Sequence, residues 1–185
     1  MYRLFVALDP PEDIKSRLLD ICFGLPGAKW IDDTRMHLTL RFIGEVDGGQ
    51  FQDARDALAT VQFEPFEVTV KGVGCFPPRK TPEVLWAGLD GNDHLAQLRN
   101  RVESTLDRAG LGRESRKFHP HIVLAKVKDT PQQKVIQFLT EFSLLRLPPF
   151  TVESFHLYSS FLSSEKALHK IEETYEHSAN GRVRT

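Results

Sequence analysis

The apolar positions fall into short runs whose spacing switches between alternation and a helical period, so strands and helices interleave along the chain. Tyr2 to Leu8 is almost continuously apolar and predicts a strand. Asp9-Pro10-Pro11 then supplies a cap and a proline at a helix start, and Ile14, Leu18, Ile21 and Cys22 carry that helix to about Phe23. Lys29-Trp30-Ile31 reads as a short extended piece leading to a strand at 36–43, and Gly44 to Gly49 as a turn. Phe51, Ala54, Leu58 and Val61 mark a second helix. Strands follow at 66–71 and 83–88, separated by a loop from Gly72 to Pro82 rich in Gly, Pro, Lys and Arg. Leu95, Leu98, Val102 and Leu106 stripe a third helix over 93–109, which Gly110 stops. A polar loop over 112–117 opens a strand at 119–126. Thr130-Pro131 caps a fourth helix bearing Val135, Phe138, Leu139 and Phe142, and strands at 150–158 and 166–175 close the chain.

Adjacent strands without an intervening helix favour an α+β fold with antiparallel sheet over a doubly wound parallel one. The glycine-rich phosphate loops of nucleotide-cofactor folds are absent. A length of 185 residues suits one domain, or two small lobes sharing a core, and we expect it over 1–178 with a mobile tail at 179–185. With 24 basic and 25 acidic residues, overall charge gives no reason for tight nucleic-acid binding, so an anionic ligand needs a local arrangement. Cys22 and Cys75 are expected as buried thiols. The apolar N-terminus is too short for a membrane span, and a cytoplasmic, reduced protein is expected.

Two segments resemble each other: Met36-His37-Leu38-Thr39-Leu40-Arg41-Phe42 and Pro120-His121-Ile122-Val123-Leu124-Ala125-Lys126. Alternation along a strand puts Leu38, Leu40 and Phe42 on one face and His37, Thr39 and Arg41 on the other. By the same rule Ile122 and Leu124 face the core, while His121, Val123 and Ala125 face outward. The histidines are 84 residues apart, which fits two related halves around one groove. Opening a cyclic phosphodiester needs a base for water and an acid for the leaving oxygen, and imidazole titrates where it can serve as either. A hydroxyl two residues after each histidine would share its face and could donate to a phosphate oxygen.

His37-Leu38-Thr39-Leu40-Arg41-Phe42-Ile43-Gly44-Glu45 and Phe118-His119-Pro120-His121-Ile122-Val123-Leu124 resemble the paired His-x-Thr/Ser-x signatures of the 2H phosphoesterase superfamily. More closely, the chain is similar to the RNA 2′,3′-cyclic phosphodiesterases once called 2′-5′ RNA ligases. The similarity extends over Arg3 to Leu8, Gly72 to Pro77, Val84 to Gly88 and Phe155 to Ser160. It implies a bilobal fold, two pseudo-symmetric lobes with antiparallel sheets around a central cleft. It also implies His37 as proton donor to the leaving 3′ oxygen, His121 as proton acceptor from water, and Thr39 on the phosphate. The implied product is a 2′-phosphomonoester, with 2′,5′ joining of RNA as a side activity. No metal and no cofactor is implied; the expected partner is RNA with a 2′,3′-cyclic phosphate end, and the expected state a monomer.

One position departs from the signature: Val123 stands where the family has Thr or Ser, and one phosphate donor is lost. Arg41, Lys126 and His119 are further candidates for phosphate binding, and Arg79-Lys80 lie in a predicted cleft loop. Phe76, Arg116, Lys117 and Tyr158 are candidates for holding substrate. Each has an ordinary reading beside it. Arg41 and Lys126 could be solvated strand residues, Arg116-Lys117 a polar loop, and His119 the partner of a backbone carbonyl. Trp30 and Trp86 read as core; His94, His156, His169 and His177 have no motif context. His119 and His121 together lack a third ligand for zinc. Val123 also supports an alternative reading, a nucleotide- or RNA-binding module without turnover.

Overall fold

The protein is represented by a computed structural model that describes residues 1–78 and 80–178. Arg79 and the tail at 179–185, both considered above, lie outside the described residues. The strands are β1 (Tyr2–Leu8), β2 (Lys29–Trp30), β3 (Leu38–Val46), β4 (Phe66–Val68), β5 (Val70–Phe76), β6 (Val84–Leu89), β7 (His121–Lys126), β8 (Phe150–Val152), β9 (Ser154–Leu162) and β10 (Ala167–Glu176). The α-helices are α1 (Glu12–Leu19), α2 (Gly48–Leu58), α3 (Asp93–Leu106) and α4 (Gln132–Glu141). No described helix is long and apolar enough to cross a membrane.

Eight strands form one sheet in the order β10-β9-β1-β3-β7-β6-β5, with β2 on the outer part of β7; β4 and β8 pair separately. Every pairing is antiparallel. The two halves of the sheet, β10-β9-β1-β3 and β7-β6-β5 with β2, meet through a single residue pair, Leu38 with Ile122. The two lobes implied by the resemblance are thus halves of one sheet joined at a narrow seam. Leu4, Val6, Leu38, Leu40, Ile122 and Leu124 bury in the main core with Ile14 and Leu18 of α1, Ala54 and Leu58 of α2, Leu95 and Leu98 of α3 and Val135 of α4. A smaller apolar cluster of Phe5, Ala7 and Tyr158 occupies the opposite, cleft-side face.

Side-chain caps fix the starts of two helices. The Asp47 side chain accepts from the Gln50 backbone N–H while Gln50 Oε1 accepts from the Asp47 backbone N–H, a capping box that fixes the start of α2. Asn92 accepts from the Leu95 amide at the start of α3. Several expectations need correction. The glycine-rich stretch 72–76 is strand, because β5 pairs through it with β6, Gly74 opposite Trp86. A Cβ on Gly74 would lie 2.3 Å from the indole, so only glycine leaves room for that ring. The helix at the N-terminus stops at Leu19, and β3 runs on through Gly44 to Val46. The final strand run divides at Glu153 into β8 and β9, which serve different sheets.

The strongest departure concerns which way side chains point. β3 bulges at Leu40, since Val6 pairs with Arg41 while Ala7 pairs with Thr39. β7 bulges at the equivalent Leu124, since Leu85 pairs with Ala125 while Trp86 pairs with Val123. Each bulge inserts one residue and reverses the alternation beyond it. Arg41 therefore turns inward and Phe42 outward, and Ala125 is buried rather than exposed. Inside, Arg41 Nε lies 2.8 Å from Glu103 Oε2 of α3 with both side chains almost fully buried. Its guanidinium also donates to the carbonyls of Gly112, at 2.8 Å, and Phe42. Removing one member of a buried ion pair costs about 3–5 kcal/mol where the other charge is left unpaired, and the lower end applies here because Arg99, at 3.6 Å, still faces Glu103. We expect Arg41→Ala to lower the urea-unfolding free energy by about that much; a loss below about 1 kcal/mol, the scale of an exposed pair, would count against a structural role.

Candidate active site

Leu38 and Ile122 both point into the core from opposite sides of the seam. Their neighbours along each strand must then face the cleft. Thr39 pairs with Ala7 of the cleft-side cluster, and Val123 pairs with Trp86, whose ring lies beside His119 and His121. His37, Thr39, His121 and Val123 thus share one face. Across an antiparallel seam in this register, His37 and His121 stand on a diagonal, a relation of roughly 7–8 Å between backbones where the ladder continues regularly.

The two imidazoles are oriented differently. His37 Nδ1 lies 2.8 Å from Asp9 Oδ1, and a carboxylate only accepts, so the Nδ1 proton is held there. Tyr158 donates its hydroxyl to the other oxygen, Asp9 Oδ2, at 2.6 Å, and His156 Nε2 lies 3.6 Å from the same atom. Burial alone would raise the Asp9 carboxyl; the hydrogen bonds from His37 and Tyr158 outweigh it and hold the group below the usual carboxylate range. The Tyr158 phenol is pushed up by burial and by its bond to Asp9, so it remains a donor. His37 Nε2 is buried and has no protein partner. Around it stand the rings of Tyr158 at 4.5 Å, His169 at 5.3 Å and Phe5 at 5.9 Å between centroids.

His121 has no carboxylate. Its Nδ1 lies 2.6 Å from the carbonyl oxygen of His119, which fixes the proton on Nδ1 and leaves Nε2 as the free lone pair. Burial lowers its pKa, against the opposing pull of that carbonyl, and the imidazole is neutral at pH 7. Phe76 stands nearly perpendicular to the His121 ring with centroids 5.0 Å apart, and Trp86 packs beside both. Beside His121 opens a cavity of about 320 Å³ lined by Thr39, Phe42, Phe76, Arg116, Lys117 and His119, among others. Arg116 sits over the Phe42 ring at 5.7 Å and pairs with Glu114 at 3.0 Å, which pulls the Glu114 carboxyl down to about 2.

The structure thus brings Thr39, His119, Phe76, Arg116 and Lys117 to the space beside His121. Arg41 also borders this cavity, but its inward-turned guanidinium is engaged by Glu103. Tyr158 is withdrawn: only 3% exposed, it reaches Asp9 rather than the open cleft. Lys126 lies on the cleft face but at the far end of β7 from His121. Sequence reasoning missed Asp9, His169, Trp86 and Phe42. Asp9 and His169 carried no signal, because the contacts that matter join residues remote in the chain. Among the described residues no three His, Cys, Asp or Glu side chains group as a metal site would require.

Burial, with His37 and Arg35 nearby, pushes the His169 imidazole down to about 4. The unfolded chain takes up this proton near pH 6.5 and the folded chain refuses it until about 4. Stability from this group is therefore complete above pH 6.5 and is lost as pH falls toward 4. Urea unfolding across that interval should show the decline, and His169→Gln should flatten it; an equal decline in the variant would remove His169 as its source.

Comparison with known proteins places the chain in a family and matches its fold. The model of the 2′-5′ RNA ligase superfamily matches residues 10–160. The RNA 2′,3′-cyclic phosphodiesterase of Thermotoga maritima is 33% identical over 179 residues, covering 91% of this chain and 92% of that protein. Its namesake from Aeropyrum pernix is 32% identical over 162 residues, covering 86% and 92%. A crystal structure of a Thermus thermophilus protein superposes with a TM-score of 0.76 at 26% identity, over 94% of this chain and 97% of the other. Escherichia coli LigT, solved with 3′-AMP, shares the fold with a TM-score of 0.76 at 23% identity, over 96% and 99%.

Proposed function

The chain belongs to the 2′-5′ RNA ligase superfamily, and from that premise we propose that it hydrolyses RNA 2′,3′-cyclic phosphate ends to 2′-phosphomonoesters by a metal-independent, two-histidine mechanism. The observation that carries the reading is the Leu38–Ile122 seam, which gives His37, Thr39 and His121 a common face. The curated relatives that bear the name RNA 2′,3′-cyclic phosphodiesterase support the substrate class.

The environments of the two imidazoles support opposite roles. His121, neutral and with its Nδ1 proton held by the His119 carbonyl, takes a proton from water at Nε2. The water oxygen forms a bond to phosphorus as the P–O3′ bond breaks, and the phosphate stays on O2′. His37 delivers the proton that O3′ needs, from Nε2, while Asp9 on Nδ1 balances the imidazolium charge. Exchange with solvent then restores His37 as acid and His121 as base. The Thr39 hydroxyl donates to a non-bridging oxygen as negative charge develops there. With an RNA 5′-hydroxyl in place of water, the same steps form a 2′,5′ phosphodiester.

Hydrolysis of a 2′,3′-cyclic-ended oligonucleotide should persist in EDTA and yield the 2′-phosphate. His37→Ala and His121→Ala should each abolish it; either variant retaining most of the activity would refute the mechanism. Asp9→Asn keeps the shape but favours the wrong tautomer. It should cut kcat by ~10²-fold or more, with little change in KM, where kcat for a purely structural residue would not separate from stability.

Val123 leaves the second signature without its hydroxyl, and a hydrogen bond to a charged group is worth roughly 1.5–3 kcal/mol. Val123→Thr should therefore raise kcat/KM by about tenfold or more. Val123 also favours the second reading, a binding module: binding of cyclic nucleotide by calorimetry with no turnover by the unaltered protein would establish it instead.

A further inference from the structure

At the outer end of the cleft one row of residues crosses four strands. Phe76 of β5 pairs with Val84 of β6, Val84 with Lys126 of β7, and Lys126 with Lys29 of β2. Residues paired across a sheet project from the same face. Phe76 touches His121 and Trp86, which fixes that face as the cleft side. Trp30, the next residue along from Lys29, turns the other way onto Phe138 of α4, as alternation requires. The bulge at Leu124 is what brings Lys126 to this side.

Both lysines are exposed. Arg116, Lys166 and Lys170 have carboxylates at 3.0, 2.9 and 3.1 Å. Lys29 and Lys126, in contrast, enter no ion pair among the described residues, although Glu83 directly precedes Val84, the strand partner of Lys126. Like charges directly opposite on paired strands repel. The chain as a whole has no basic excess to account for the pairing. Lys128, two residues further on and also exposed, extends the positive charge outward. The row lies four residues along β6 from Gly88, the partner of His121, roughly 13 Å at about 3.3 Å per residue.

We propose that Lys29 and Lys126 form a track for the phosphodiester backbone of the RNA upstream of the reacting end. The inference rests on the reading of His37 and His121 given above and adds a substrate preference to it: oligonucleotides over mononucleotides. Phosphate neutralisation by lysine suits an unpaired strand leaving the cleft, and Phe76 in the same row offers a face for stacking a base. Arg116 and Lys117 line the cavity beside His121 assigned to the terminal nucleoside, and Phe76 stands where that cavity meets the row.

The test compares kcat/KM for a 2′,3′-cyclic mononucleotide and for a short oligonucleotide ending in the same cyclic nucleotide, at two salt concentrations. The unaltered protein should favour the oligonucleotide, more so at low salt. In the double variant Lys29→Ala/Lys126→Ala the oligonucleotide-to-mononucleotide ratio should fall by about tenfold at low salt, and the log–log salt slope by about 1.4, or 0.7 for each phosphate contact on a single strand. An unchanged ratio, including one in which both substrates lose equally, overturns the track. So does a ratio that collapses in Lys117→Ala but holds in the double variant. If the unaltered protein turns over neither substrate, the histidine reading fails on its own. Fluorescence anisotropy with a 3′-phosphorylated oligonucleotide then decides the track separately, through weaker and less salt-sensitive binding by the double variant.

Discussion

Leu38 and Ile122 form the one β-ladder pair that joins the two halves of the large sheet among the described residues. Both side chains bury in the core shared with the helices, and that burial fixes the register of each strand independently. A slip of one residue on either side would turn a leucine or isoleucine to the cleft and an imidazole into the apolar interior. The hydrophobic effect, acting on residues with no chemical task, therefore dictates where the histidines emerge. The narrowness of the seam lets the sheet halves diverge beyond it and leaves a cleft above it.

The paired bulges are the second organising device. Each falls three residues after a histidine, and each reverses which face the following residues reach. The two halves use the reversal for different ends. On β3 it draws Arg41 into a buried ion pair with Glu103 and releases Phe42 to the cleft, where Arg116 lies over its ring. On β7 it buries Ala125 and releases Lys126 beside Lys29. The β3 side thereby gains an exposed aromatic ring and the β7 side an exposed cation.

The same near-symmetry is broken at the imidazoles. A carboxylate, itself kept ionised by Tyr158 and His37, faces Nδ1 of His37, while a peptide carbonyl faces Nδ1 of His121. A full negative charge complements an imidazolium; a neutral carbonyl in a partly buried site does not compensate the loss of hydration. Two residues of one type thereby meet different partners at Nδ1, a carboxylate for the proposed acid and a carbonyl for the proposed base.

How much of this was legible in the chain follows from the range of the interactions. The α+β class, the helices and the emergence of His37, Thr39 and His121 on the non-core face rest on local periodicity, and the sequence alone determined them. Alternation failed for Arg41, Phe42 and Ala125 because each bulge sits on a leucine, with no glycine or proline to mark it, and is fixed only by pairing with β1 or β6. The strand character of 72–76 was hidden by glycines that make room for Trp86. Asp9, Tyr158 and His169 joined His37 only in the tertiary structure, since β1, β9 and β10 are brought together from opposite ends of the chain. A side chain's face can be read from its neighbours along a regular strand; its partner across the sheet depends on register, which only the packed core decides.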